Sequence, residues 1–296
     1  MFSRQYSVNT LSLLIFISST AWGVYWIPLR AIEGVGISGS WAVVMLNACP
    51  LLILCPLFIF NYKKMFGNFK TTIFASLMIG SAFSFYAYGL IETTIIRATL
   101  LFYLSPIWAT AIGVIWLNES FTRARVVSIG IGLLGLFLLL SQANSMEYPL
   151  NVGDLFAVLS GICWAIGGST LKKYSYTHIL SISTFVYMST TVISVLFAIL
   201  FYMDPFPSIT AIKVAFPTAA IWSIFILAPA FIVVFKISTI LFPGRVGILM
   251  MSEVIVAIIS ASILVPEETM VLIQWIGAIG IVAAAFIEVF YGNESS

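Results

Sequence analysis

Glu253 is the residue of this sequence that most needs a chemical explanation. It lies about nine residues into an apolar stretch of about 20 residues, Val246–Val265. If that stretch crosses a membrane, an acidic side chain there costs about 2.5–3.5 kcal/mol, so it should face a cavity or a partner. Three roles fit this position: a group that loads and releases a proton, a ligand for a substrate cation, or a structural carboxyl bonded to Ser or Tyr neighbours.

Aromatic residues offer a second kind of chemistry, the binding of a substrate. Trp22 and Trp26 are one helical turn apart and therefore share one face of a helix. Trp164, Tyr86 and Tyr103 lie at similar depths in other apolar stretches. Such rings could hold an apolar or aromatic substrate, or bind an alkylammonium group by cation–π contact. The alternative is the aromatic belt at a membrane surface, which applies to rings near the end of a stretch.

A few charged residues could serve as gates or as partners of Glu253. Lys236 could pair with Glu253 or receive a substrate carboxylate, or its ammonium group could reach the lipid headgroups. Arg97 and Arg245 each begin an apolar stretch, where they could anchor the chain or form an ion pair in one conformation only. Glu92, five residues before Arg97, is the candidate partner for such a pair on the outer side.

The composition places all of these residues in a membrane protein. Of the 296 residues, 61% are hydrophobic and 8% are charged, and the mean hydropathy is +1.11. A soluble domain has about 25% charged residues, so this chain lacks the charge that a water-soluble surface requires. The net charge of +2 is too small for a nucleic-acid-binding protein.

The sequence predicts no metal, no cofactor and no enzymatic reaction. The three cysteines lie in apolar runs without a C-x-x-C pair, and with the single histidine, His178, they cannot build a zinc site. The sequence has neither the phosphate-binding loop G-x-x-x-x-G-K-[ST] nor a G-x-S-x-G nucleophile motif. No catalytic residue is therefore predicted.

The elements that carry the candidate residues are apolar helices, each of which needs about 20 residues to cross a membrane. Ten of the 13 Lys and Arg residues then lie on the N-terminal side. The excess of basic residues puts both termini in the cytoplasm, with the protein in the cell (inner or plasma) membrane. The ten predicted spans are about Val8–Leu29, Trp41–Phe60, Thr72–Ile91, Thr99–Leu117, Val126–Leu140, Leu155–Leu171, Ile182–Met203, Val214–Ile237, Val246–Val265 and Val271–Tyr291.

The sequence also contains an internal repeat. A shift of 148 residues aligns Arg97 with Arg245, and a shift of 142 residues aligns Trp22 with Trp164. Five spans per copy is an odd number, so the second copy must be inserted upside down. We therefore predict an all-α polytopic fold of two inverted five-helix repeats, residues 1–145 and 146–296. Secondary transporters often have this design, in which one half moves against the other around a site at the membrane midplane.

Several motifs of this sequence resemble those of the EamA-type transporters in the drug/metabolite transporter superfamily. They are Trp22-Gly23, Ser105-Pro106, Asn118-Glu119, Gly153-Asp154-Leu155 and Trp164-Ala165. The resemblance covers nearly the whole chain and implies a ten-helix carrier that favours export. It also implies a central cavity lined mainly by spans 1, 3, 4, 6, 8 and 9. The second half departs from the family pattern, because Glu253-Val254 stands where a proline often follows a small residue.

The expected function is secondary transport of a small metabolite, an amino acid or a related amphipathic solute, by alternating access. Protons are the candidate coupling ion. A carrier for a quaternary-ammonium or other cationic compound is the second hypothesis, and a channel or structural membrane subunit is the hypothesis of another class. The expected partners are the small-molecule substrate and the lipid bilayer, with no nucleic acid, and the protein is expected to be a monomer or a weak homodimer.

Overall fold

The structure is a computed structural model that describes residues 6–65, 69–93, 95–120, 122–141, 150–174, 178–264 and 271–291. Over these residues the chain is helical and contains no strand. The helices are α1 (Val8–Thr20), α2 (Trp26–Glu33), α3 (Gly39–Ala48), α4 (Leu51–Met65), α5 (Phe69–Glu92), α6 (Ile95–Phe102), α7 (Ser105–Leu117), α8 (Arg123–Leu140), α9 (Val152–Lys173), α10 (Ile179–Leu196), α11 (Ile209–Ala220), α12 (Ala228–Ser238), α13 (Pro243–Met250), α14 (Ser252–Leu264) and α15 (Leu272–Tyr291).

Side-chain caps fix where several helices begin. The hydroxyl oxygens of Ser7, Thr122 and Ser208 each accept a hydrogen bond from a backbone N–H in the first turn of the helix that follows. Asn151 and Asp154 form a reciprocal capping box at the start of α9, with distances of 3.1 and 2.9 Å. Each cap satisfies backbone donors that have no partner within the helix.

The chain is a multi-pass helical membrane protein. Within the described residues, five helical stretches are long and apolar enough to cross a membrane: Gly39–Asn61, Phe69–Glu92, Val152–Lys173, Ile179–Phe201 and Ile209–Ser238. Shorter apolar helices cover Val8–Thr20, Ser105–Leu117 and Leu272–Glu288. Large apolar side chains point outward from the packed helices, as a lipid environment requires, and the count of ten spans stays a prediction.

Four of the predicted spans are interrupted helices, and the second is divided at Cys49 and Pro50 between α3 and α4. The first consists of α1 and α2, joined at residues 21–25 by i to i−3 hydrogen bonds. The fourth is divided between α6 and α7, and the ninth is divided at Met251 between α13 and α14. The helices α6 and α13 both have eight residues, and their first and last residues are 148 positions apart. The 148-residue shift of the internal repeat therefore also relates the ends of α6 to the ends of α13.

The predicted eighth span is also irregular, for a local chemical reason. The segment Ile221–Leu227 between α11 and α12 is a π-helix, and Pro217 and Pro229 lie on either side of it. A proline has no N–H for the helical ladder, so the hydrogen-bond pattern changes near it.

Hydroxyl groups and glycines join the membrane helices to one another. The Ser84 and Tyr88 hydroxyls of α5 donate to backbone carbonyls of α10 at 3.3 and 2.8 Å, and Ser160 of α9 donates to a carbonyl of α5 at 2.7 Å. Gly135 of α8 packs against Gly280 of α15, where a Cβ on Gly135 would meet backbone atoms. Small residues and interhelical hydrogen bonds are the main means of helix association in lipid.

Candidate functional site

A small cavity of about 20 Å³, the space of about one water molecule, lies where the first, fourth and ninth predicted spans meet α5, α9 and α12. It is bounded by the break between α1 and α2, by the end of α6, and by the break between α13 and α14. Its lining is mainly aromatic and contains one acidic residue: Trp22, Ala82, Phe83, Tyr86, Phe102, Ser160, Trp164, Phe231, Met250 and Glu253.

The rings of this cavity pack against one another, and we call Trp22, Phe83, Trp164 and Phe231 the ring cluster. The ring centroids of Trp22 and Phe231 are 3.8 Å apart, and those of Phe83 and Phe231 are 4.1 Å apart. Trp164 lies 6.2 Å from Phe83 and 6.3 Å from Phe231. A solute that entered the cavity would therefore have to separate these rings and replace their contacts with its own.

The ring cluster follows the register of the internal repeat. Trp22 and Trp164 are 142 residues apart, and Phe83 and Phe231 are 148 residues apart. These are the two shifts that relate the halves of the sequence. Phe83 and Phe231 were not among the predicted site residues, although applying the 148-residue shift to every aromatic position would have paired them.

Glu253 is buried beside the ring cluster, with 3% of its surface exposed. It is the second residue of α14, next to the helix break at Met251. The Tyr103 hydroxyl donates to Glu253 Oε2 at 2.7 Å, and the Tyr86 hydroxyl also contacts this carboxyl group. Two phenols and the positive end of a half-helix thus stabilise the carboxylate in an apolar surrounding.

Tyr103 connects Glu253 to the broken helix α13. Its hydroxyl oxygen lies 2.7 Å from Glu253 Oε2 and 2.9 Å from the carbonyl oxygen of Met250, which is the last residue of α13. A phenol has one proton to donate. When Glu253 is ionised, that proton favours the carboxylate; when Glu253 is protonated, the acid can donate to Tyr103 and leave the phenol proton for Met250. The protonation state of Glu253 therefore determines whether the Tyr103 hydroxyl donates to Glu253 or to the Met250 carbonyl at the helix break.

The structure places Trp26 and Lys236 away from the cavity lining. The Trp26 Nε1 donates to the Ser260 hydroxyl at 3.1 Å, so this ring packs between α2 and α14. Lys236 lies in the last turn of α12, half-buried, and within the described residues it forms no ion pair with Glu253. The expected pairing of these two residues is therefore not present in this structure.

The predicted gate residues have separate surroundings. Arg245 is 1% exposed, and its Nε donates to the Ser12 hydroxyl of α1 at 3.0 Å, so it lies inside the protein rather than at a lipid surface. Glu92 ends α5 and contacts the Tyr202 hydroxyl. The side chain of Arg97, and with it the predicted pair between Glu92 and Arg97, lies outside the described residues.

A buried ion cluster that the sequence did not predict joins three elements. Arg125 of α8 forms ion pairs with two glutamates. One is Glu119, in the connection before α8. The other is Glu288 of α15, whose Oε1 lies 2.7 Å from Arg125 Nη2. All three side chains are almost fully buried. In the sequence, Arg125 falls in the connection between the fourth and fifth predicted spans, on the N-terminal side. No local pattern reveals a partner 163 residues away.

The fold and the site together define a class of membrane protein. Apolar helices border a cavity of rings with one carboxylate, and some of these helices are interrupted, a feature that binding sites of membrane transporters also have. The resemblance to the drug/metabolite transporter superfamily is confirmed for the first half of the chain, where residues 10–141 match the model of the EamA-like transporter family. The match covers 132 of the 296 residues, so the first half of the chain is similar to the EamA-like transporters.

Two further comparisons bear on the fold. A solved structure described only as the crystal structure of a protein is similar to this chain, with a TM-score of 0.74 and 15% sequence identity. The similarity covers 95% of this chain and 96% of the other, so it shows that the two share a fold. A comparison with curated proteins gave no significant match.

Proposed function

We propose that this protein is a secondary transporter that carries a small amphipathic solute across the cell membrane by alternating access. The ten predicted spans form two inverted repeats in this proposal, residues 1–145 and 146–296, with both termini in the cytoplasm. The solute binds between the halves, at the ring cluster and Glu253. Glu253 also exchanges a proton, so that the solute and the proton act on the same conformational equilibrium.

The observation that carries this proposal is the pair of helix breaks beside the cavity. The break after α6 and the break after α13 fall 148 residues apart and bring Tyr103 and Glu253 together. Irregular backbone at membrane depth is tolerated only where it is buried in protein or lines a cavity, and transporters use such breaks to build their binding sites. A static helical assembly has no need of two matched breaks at one cavity.

The ring cluster supports binding at this place. Its members come from the predicted first, third, sixth and eighth spans, so it connects both halves of the chain. Separating the halves would open the ring contacts, and a bound solute would compensate for the apolar surface that this exposes. Binding would therefore change the balance between two arrangements of the helices, which is what alternating access requires.

The test replaces Glu253 by glutamine in protein reconstituted into liposomes. The amide keeps the shape of the side chain and removes its charge and its exchangeable acid proton. We expect Glu253→Gln to fold and insert, and to lose uptake that is driven by a pH gradient. A solute that does not bind the carboxylate should keep part of its exchange at equal pH, whereas a cation held by the carboxylate should lose binding and exchange as well. Uptake by Glu253→Gln that still responds fully to the pH gradient would return Glu253 to a structural role.

A matched control is available at the protein surface. Glu33 is partly exposed and forms a surface ion pair with Arg30 at 2.8 Å, so Glu33→Gln removes one carboxylate far from the cavity. We expect its pH-driven uptake to equal that of the unmodified protein. The same liposomes distinguish the channel alternative, because a pore gives electrical conductance where a carrier gives saturable countertransport.

A further inference from the structure

The cavity that we propose as the transport site has an acidic residue in its described lining and no basic residue. Its lining includes the Glu253 carboxylate, and none of the ten described lining residues is Lys, Arg or His. Within the described residues, Glu253 has hydroxyl partners and no ion-pair partner. A carboxylate surrounded by rings is the combination that binds an organic cation, since the acid supplies the charge and the ring faces add cation–π attraction.

A second observation also points to a ligand. Trp22 lines the cavity and is 8% exposed, and its indole Nε1–H has no hydrogen-bond partner among the described residues. A buried N–H without an acceptor is costly, and such groups in native proteins require an explanation. By contrast, the indole of Trp26 one turn away donates to Ser260. An acceptor atom on a bound solute would satisfy the Trp22 N–H.

We propose that this site selects small aromatic monocations, arylalkylamines that carry a neutral hydrogen-bond acceptor and no carboxylate. The ammonium group binds Glu253, the aromatic ring enters between the members of the ring cluster, and the acceptor faces Trp22. This proposal rests on the proposed function and narrows its substrate class. It favours the cationic hypothesis over the amino-acid hypothesis that the sequence placed first.

Rejection of amino acids follows from the same contacts. An amino acid would bring its own carboxylate into a cavity whose described lining offers no cation to pair with it. Desolvating that carboxylate is unfavourable, and Glu253 would repel it. We expect a zwitterion to bind at least tenfold more weakly than the amine that lacks only the carboxylate, a difference of about 1.4 kcal/mol.

The experiment compares ligands that differ by one group. Purified full-length protein in lipid nanodiscs is titrated with tryptamine, with tryptophan, which adds the carboxylate, and with 5-hydroxytryptamine, which adds a neutral hydroxyl. Calorimetry gives the affinity, and thermal unfolding gives an independent measure, because a ligand of the folded state raises its stability. We expect the two amines to bind and tryptophan to bind at least tenfold more weakly. Equal or tighter binding of tryptophan, or no binding of either amine at millimolar concentrations, would overturn the proposal.

Two variants assign the contacts. Glu253→Gln should remove the preference for tryptamine over tryptophan. Trp22→Phe should weaken 5-hydroxytryptamine more than tryptamine, whereas Trp275→Phe, at a ring that is 47% exposed on α15, should weaken neither. Equal losses for both amines in Trp22→Phe would overturn the assignment of the acceptor to Trp22.

Countertransport in liposomes separates this inference from the proposed function. Exchange of tryptophan without exchange of tryptamine would overturn the substrate class and leave the carrier function intact. Absence of saturable exchange for every solute tested would overturn the carrier function itself.

Discussion

Replacing Tyr103 by phenylalanine removes one hydroxyl group from the centre of the protein. Tyr103 is 1% exposed, and its hydroxyl lies 2.7 Å from Glu253 Oε2 and 2.9 Å from the Met250 carbonyl oxygen. Phenylalanine keeps the ring and its packing against Phe102, so no large cavity is created. The expected effect is therefore the loss of these hydrogen bonds alone.

The magnitude can be worked from these contacts. A hydrogen bond to a charged group contributes about 1.5–3 kcal/mol, and a buried acceptor left without a donor costs about 1–3 kcal/mol. Tyr86 remains beside the Glu253 carboxyl and compensates in part. We therefore expect Tyr103→Phe to lower the free energy of unfolding by about 1.5–2 kcal/mol, which is roughly a 10- to 30-fold change in the unfolding equilibrium.

Tyr187→Phe is the matched control. Tyr187 is 2% exposed, and within the described residues its hydroxyl has no hydrogen-bond partner. Removing a buried hydroxyl that has no partner should leave the stability unchanged or raise it slightly. Reversible denaturant unfolding in detergent micelles measures both variants, and a loss in Tyr103→Phe no larger than in Tyr187→Phe would refute the reasoning.

The same variant tests the connection between Glu253 and the helix break. If Tyr103 transmits the protonation state of Glu253 to Met250, Tyr103→Phe should reduce pH-driven uptake more than exchange at equal pH. Combined with Glu253→Gln it should add little further loss, because residues in one hydrogen-bond network are not additive. Full additivity of the two variants would show that they act independently.

Two further predictions concern the scaffold. Arg125→Met leaves two buried carboxylates without their guanidinium partner and should lower the free energy of unfolding by about 3–5 kcal/mol. Arg30→Met, at an exposed pair, should lower it by at most about 1 kcal/mol. Equal losses of the two variants in denaturant unfolding would contradict this account. Gly23→Ala should lower the thermal unfolding midpoint, because the added Cβ would lie 2.8 Å from the backbone nitrogen of Ala257, while Gly130→Ala, with no atom within 4 Å, should not. Similar midpoints for the two alanine variants would show that the Gly23 contact has little energetic weight.

Part of the candidate site could be predicted because residue types and their spacing along the chain indicate it. An acidic residue deep in an apolar stretch marked Glu253, and the repeat register aligned Trp22 with Trp164. Both signals depend only on residue type and spacing along the chain, and the structure brings these three residues to one cavity. The same register, applied to more positions, also describes Phe83 and Phe231 and the matching ends of α6 and α13.

Other parts depend on how each helix is rotated and packed, which spacing does not determine. Trp26 shares a helix face with Trp22 in a continuous helix, but the chain is interrupted between them, and Trp26 turns to Ser260. Lys236 was a reasonable partner for Glu253 by depth, but it does not pair with it in the described structure. Arg125 and Glu288 meet only because α8 packs along α15.

In the proposed function, the relation between the two repeats gives Glu253 its role. The register pairs the two helix breaks, yet it aligns Tyr103 with Met251 and Ser105 with Glu253. The backbone interruption is thus repeated, while the phenol that crosses to the other half and the acid that receives its hydrogen bond are not. A carrier needs two similar halves so that its outward and inward arrangements have comparable energies. It needs unequal chemistry at the centre so that a proton favours one of those arrangements, because a ligand with equal affinity for both states shifts neither. The single carboxylate, beside a ring cluster whose members the repeat register aligns, supplies that inequality. The proposed coupling is therefore assigned to Glu253 rather than to Arg97 and Arg245, which the same register aligns.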